Sequence, residues 1–130
     1  REYYFYFRVR SAPELSRVYI DGSIYTVKSA RVTAASSGDT QLVPAVVGSK
    51  IRPIALRVGP VSAAVTVTIQ DAAGTPVILA GPFYCAANGG IVDGVYKDSD
   101  QEGTVSVAVN INLSATANVP VHFWYVEVVG

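Results

Sequence analysis

Two stripes of strict alternation near the C-terminus constrain this chain most. Between Thr104 and Ser114, Val105, Val107, Val109, Ile111 and Leu113 alternate with Ser106, Ala108, Asn110 and Asn112. A few residues on, Val119, Val121, Phe123 and Tyr125 alternate with Pro120, His122 and Trp124. A period of two does not suit a helix; it suits a strand with one face on a core. The connecting residues, Ala115-Thr116-Ala117-Asn118, are few and small, so the two strands are expected to pair as an antiparallel hairpin. The pattern makes the chain all-β. It also leaves few reactive side chains on the ordered surface, which argues against an enzyme.

The rest of the chain carries the same signals. Glu2 to Arg10 is aromatic on both faces, with Tyr3, Phe5 and Phe7 on one and Tyr4 and Tyr6 on the other. A strand apolar on both faces is buried on both, and at a chain terminus another subunit can cover the second face. Ser11-Ala12-Pro13-Glu14 breaks this strand. Arg17–Ile20 and Ser23–Arg31 flank Asp21-Gly22, a two-residue hairpin signal. Ala34 to Thr40 is small and polar and reads as a loop. Strands follow at Lys50–Val58, Ala64–Gln70, Thr75–Ala80, Phe83–Ala86 and, weakly, Ile91–Tyr96. Asp71 to Gly74 and Asn88-Gly89-Gly90 are turns, and Asp98–Gly103 is an acidic loop. About eight to ten short strands at this spacing, with no convincing helix, predict an antiparallel β-sandwich. The expected organisation is an N-terminal β-arm or hairpin over residues 1–33, a linker over 34–44 and a β-sandwich over 45–130; one compact domain is the alternative.

With 130 residues, half of them hydrophobic and 15 % charged, the chain can bury a core without staples. So little charge leaves weak repulsion between copies. That suits an assembly subunit, and equally a well-packed small sandwich. The formal net charge is zero, yet residues 1–33 hold six basic groups against three acidic ones. Residues 61–130 hold only Lys97 against six carboxylates. Such a division serves head-to-tail association or docking on an acidic surface, unless folding mixes the halves. Cys85 is the only cysteine, so no intrachain disulfide forms, and synthesis in a reducing cytoplasm is expected. No apolar run approaches the roughly 20 residues of a membrane helix, and no secretion signal is visible. The chain lacks Met even at position 1, which predicts a processed product or a piece of something longer.

Chemistry-bearing constellations are few. Nucleophilic catalysis needs a nucleophile, a base and an orienting group. The only histidine, His122, is followed on its strand by Phe123 and Trp124 and reads as a packing or interface residue. Cys85 follows Phe83-Tyr84 with no adjacent base and reads as a buried, inert thiol. Asp98, Asp100 and Glu102 ahead of Gly103 resemble the opening of a calcium loop, but Val109 stands where an EF-hand needs its closing Glu. The preferred reading is a solvated acidic loop, with a loop-borne calcium site as the alternative; one Cys and one His make no zinc site, and no metal or cofactor is expected. Tyr3, Tyr4, Tyr6, Arg8 and Arg10 could stack bases and hold phosphates, but zero net charge and an acidic C-terminal half weigh against nucleic acid. Asn112-Leu113-Ser114 matches a glycosylation acceptor and sits mid-strand, so it reads as structural.

From about residue 45 onward the chain resembles a recurrent structural module of tailed bacteriophages, found in head-decoration (cement) proteins and some fibre tips. The likeness lies in Val47-Gly48-Ser49-Lys50-Ile51-Arg52-Pro53-Ile54-Ala55-Leu56 and Ala64-Val65-Thr66-Val67. It continues through Gly81-Pro82-Phe83-Tyr84, Ala86-Ala87-Asn88-Gly89-Gly90 and Leu113-Ser114-Ala115-Thr116-Ala117-Asn118-Val119 to Trp124-Tyr125-Val126-Glu127-Val128. The resemblance implies a jelly-roll-like sandwich, often trimeric, that binds a capsid lattice. On that basis the expected function is a non-enzymatic virion protein, made in the host cytoplasm, that clamps neighbouring copies of the major capsid protein. The expected interface residues are Tyr3, Tyr4, Phe5, Tyr6, Arg8 and Arg10, followed by His122 and Trp124, because Tyr, Trp and Arg dominate interface hot spots. The alternative is a receptor- or glycan-binding tip of a tail or head fibre. A hydrolase would need a carboxylate pair in a cleft, with Asp93, Asp98, Asp100 and Glu102 as the candidates.

Overall fold

The computed structural model describes residues 3–5, 16–20, 22–93 and 102–130. Its strands are β1 (Tyr3–Phe5), β2 (Ser16–Ile20), β3 (Ser23–Ala34), β4 (Gly38–Val43), β5 (Ser49–Val58), β6 (Val65–Asp71), β7 (Ile78–Cys85), β8 (Ile91–Asp93), β9 (Val109–Leu113) and β10 (Val119–Val129). Among the described residues there is no helix. The strands form two antiparallel sheets, of order β1-β2-β3-β10-β5-β8 and β4-β9-β6-β7.

The pairing is nested. β3 pairs with β10, β4 with β9, β5 with β8 and β6 with β7. Strands β3 to β10 thus pair as in one long antiparallel hairpin, rolled until β10 also meets β5 and β9 also meets β6. That order is the jelly roll, in which two sheets share one interior. β1 and β2 extend the six-stranded sheet beyond it. Between the sheets lie the inward sides of the alternating strands: Leu56 and Val58 of β5, Val65, Val67 and Ile69 of β6, Val109, Ile111 and Leu113 of β9, and Val119, Val121 and Phe123 of β10. Phe123 stacks on Tyr125 at 5.7 Å.

The expected β2–β3 hairpin forms. Ile20 pairs with Ser23, and Gly22 takes a φ of 84° in the tight connection, a conformation glycine adopts without a side-chain clash. Three expectations are corrected. The last two strands are not a hairpin: β9 lies in the four-stranded sheet and β10 in the six-stranded one. The short connection crosses between sheets because it is anchored at both ends. Thr66 N donates to Ser114 Oγ at 2.9 Å, Asn118 N donates to Ser62 Oγ at 2.8 Å, and Ala117 is buried between them. The two apolar stripes then face each other across the interior.

The first stripe is also shorter than its alternation suggests. Val105 and Ser106 form a turn, with Ser106 at a φ of 62°, and the strand starts at Val109. The carboxylate of Asp71 captures the Thr104 N–H at 2.8 Å and its hydroxyl at 2.7 Å, and Ser106 N donates to Ser49 O. These bonds hold the chain out of the ladder. The segment 34–44 is not a plain linker either, because β4 occupies residues 38–43 and buries Leu42 and Val43.

A second, smaller apolar cluster lies on the outer face of the six-stranded sheet. Val18, Ile54 and Val126 are buried there, with Tyr25, Val27, Trp124 and Val128 packed around them. The register of β5 against β10 skips Ile54, since Trp124 pairs with Ala55 and Tyr125 with Pro53. Such a bulge adds curvature, and the curl brings β2 over the sheet's outer face.

Candidate functional site

Alternation along β10 turns His122 and Trp124 away from the main core, onto the outer face that carries the second cluster. Their rings lie 3.7 Å apart, tilted by 30°. Trp124 is anchored in the apolar cluster. His122 is half-buried and sits in a different environment, because the register places Arg31 of β3 directly opposite it on one side and Arg57 of β5 on the other. Three cationic or ionisable side chains thus form one row across three adjacent strands, about 4.8 Å from strand to strand.

Arg31 Nε donates to His122 Nδ1 at 3.3 Å. In that pairing the imidazole is neutral and keeps its N–H on Nε2. Burial pushes the His122 pKa below the ordinary histidine value, and the charges of Arg31 and Arg57 push it further the same way. Among the described residues, no carboxylate forms an ion pair with Arg31 or Arg57. One row further along, Thr33, Pro120 and Gly59 border a groove of about 290 Å³ together with Arg31, Arg57 and His122. Gly59 has a φ of 101°, and a side chain there would meet the Gly89 backbone oxygen at 2.7 Å, so this close approach of two backbone segments requires glycine.

Of the N-terminal candidates, Tyr3, Tyr4 and Phe5 form β1 and pair with Tyr19, Val18 and Arg17 of β2. β1 is the outermost strand of its sheet, and β2 and β3 stand between it and β10. Val18, the β2 partner of Tyr4, belongs to the outer-face cluster on which Trp124 packs. Tyr6, Arg8 and Arg10 lie outside the described residues, as do Asp98 and Asp100 of the acidic loop. Glu102 is engaged with Lys50 at 3.7 Å and Arg52 at 3.8 Å.

Two other titratable groups serve the fold. Burial alone would raise the Asp71 pKa, but hydrogen bonds from Val77 N, Thr104 Oγ1, Thr104 N and Ala73 N outweigh it and hold the carboxyl below its usual value. Its Oδ1 also holds Ala73 and Val77, so the return strand β7 starts at Ile78 rather than Thr75. Burial raises the Cys85 thiol pKa and keeps it protonated. Among the described residues, no group of three His, Cys, Asp or Glu side chains is placed to hold a metal ion.

Sequence reasoning missed Arg31 and Arg57 as partners of His122. They are 26 residues apart in number and nothing in their local pattern marks them; only the register of β3, β10 and β5 aligns them. Fold and site together define an antiparallel jelly roll with an aromatic edge strand and a cationic row on its outer face. No family model, no curated protein and no solved structure matches the chain.

Proposed function

We propose that this chain is a non-enzymatic virion structural protein that decorates a tailed-phage capsid and stabilises it by clamping neighbouring copies of the major capsid protein. The observation that carries this reading is the position of β1. The aromatic strand singled out as a docking element is the outermost strand of the six-stranded sheet and pairs on one side only among the described residues. An edge strand presents a row of free backbone donors and acceptors, a template for a strand of another chain. The jelly-roll order supports the reading too, since that architecture recurs in viral capsid proteins.

The mechanism is burial of aromatic and apolar surface at subunit boundaries. Each Å² removed from water stabilises by roughly 25 cal/mol before association costs are subtracted. Many identical contacts on a symmetric shell reinforce one another through multivalency. The chain is expected to act as a homotrimer on the capsid surface.

Co-sedimentation with purified, undecorated shells tests this. The full chain is expected to pellet with shells, and a chain lacking residues 1–10 is expected to stay in the supernatant while keeping its β-rich circular dichroism spectrum. Pelleting of the truncated chain at full affinity would remove β1 from the docking role. A full chain with no affinity for shells would reject the decoration reading and favour a receptor-binding tip.

A further inference from the structure

We propose that the groove framed by Arg31, His122 and Arg57 is a binding site for the oxyanion group of a small ligand: a carboxylate, a sulfate or a phosphate. The site is built from residues of β3, β10 and β5 and uses none of β1, so it does not depend on the decoration reading.

Three observations carry the proposal. The first is register. Arg31, His122 and Arg57 stand directly opposite one another on β3, β10 and β5, and the outer-face positions next in line hold Thr33, Pro120 and Gly59. Like charges gathered on one sheet face are unfavourable, and both arginines are exposed with no ion-pair partner among the described residues. An anion between them removes that repulsion.

The second is donor geometry. The neutral imidazole uses Nδ1 to accept from Arg31, so its Nε2–H is left as a donor. Each guanidinium presents a planar fork suited to carboxylate, sulfate or phosphate oxygens. The row is thus made of donors, with the Thr33 hydroxyl at its border. The third is space. A groove of about 290 Å³ equals roughly ten waters' share of liquid volume, enough for a free oxyanion or a single acidic sugar. Pro120 and the Gly59 backbone form part of its border.

The chain's only histidine reports on the site directly. The full-length protein is titrated with sodium sulfate and, separately, with glucuronate, at constant ionic strength made up with chloride. The imidazole ring protons of His122 are followed by NMR across pH. A saturable shift is expected. The apparent His122 pKa should rise by about half a unit or more, because an opposite charge within about 4–6 Å favours the imidazolium. The charged groups facing this imidazole are Arg31 on β3 and Arg57 on β5, and both act to lower its pKa until an anion offsets them.

Arg57→Ala and Arg31→Ala should each weaken saturation about tenfold or more, in line with the loss of a charged hydrogen bond. Arg57→Lys keeps the charge without the fork and should fall between. Glucose, a neutral sugar, should leave the signals unmoved. Saturation by sulfate but not glucuronate identifies a free tetrahedral anion as the source, and the converse identifies a carboxylated sugar. The proposal is overturned if neither anion saturates, if chloride alone reproduces the shift, or if saturation is unchanged in both Arg57→Ala and Arg31→Ala.

Discussion

Asp71 is 1 % exposed, and its two oxygens hold the backbone N–H groups of Ala73, Val77 and Thr104 together with the Thr104 hydroxyl. Asp71→Ala leaves those donors unpaired beside a cavity, and the expected loss is on the order of 3–5 kcal/mol in urea unfolding. A loss below about 1 kcal/mol would mean that water replaces the carboxylate freely. The Asp71 pKa is lower in the folded protein than in the unfolded chain, so the unfolded state binds more protons as the pH falls. Its contribution is complete above the ordinary aspartate pKa and is lost as the pH drops through the folded value. His122 has the same sign in a higher window. Its folded pKa is depressed below the ordinary histidine value, so stability is present above that value and declines on acidification toward the folded pKa. Denaturant unfolding at pH 7.5 and pH 5.5 should show a decline that His122→Gln largely removes. A decline of equal size in the variant would place its source elsewhere.

At the scale of elements, what lay in local pattern was legible and what depended on pairing was not. Alternation located β5, β6 and β10 closely, and Asp21-Gly22 located the β2–β3 hairpin, because side-chain period and turn chemistry are written within a few residues. The partner of a strand is not. β9 and β10 each show one apolar face, and that pattern is satisfied equally by strands side by side or face to face across an interior. The anchors that chose between these, Ser62 and Thr66, lie about fifty residues earlier in the chain. For the same reason Val105 and Val107 extended the apparent stripe, although a carboxylate on β6 had already turned the chain at Thr104. The aromatic terminal strand and His122 were visible in the sequence, while Arg31 and Arg57 became neighbours of His122 only through register. The nested jelly-roll pairing also predicts how β1 contributes. It lies outside the eight strands that close the sandwich, so removing residues 1–10 should lower the thermal midpoint by only a few degrees. Loss of the cooperative transition would instead make β1 part of the folding core.

Across the whole molecule, the fold leaves several large apolar side chains outside the core. Val47 is 92 % exposed and Val129 85 %. Backbone bonds bring their segments together, since Gly130 N donates to Gly48 O and Gly48 N to Ser106 Oγ. Exposed apolar surface at one end of a sandwich, an aromatic edge strand paired on one side only among the described residues, and zero net charge all favour association. Sedimentation equilibrium at micromolar concentration should give close to three times the 13.7 kDa chain mass; a monomer at all concentrations would contradict the trimer. The most direct test of the central claim is electron cryomicroscopy of the source particle. The account predicts jelly-roll density on the shell surface, between capsid subunits, with the outermost strand of the six-stranded sheet lying against a neighbouring chain. A shell whose surface carries no such density, with the protein found at a fibre tip or absent from the particle, would contradict it.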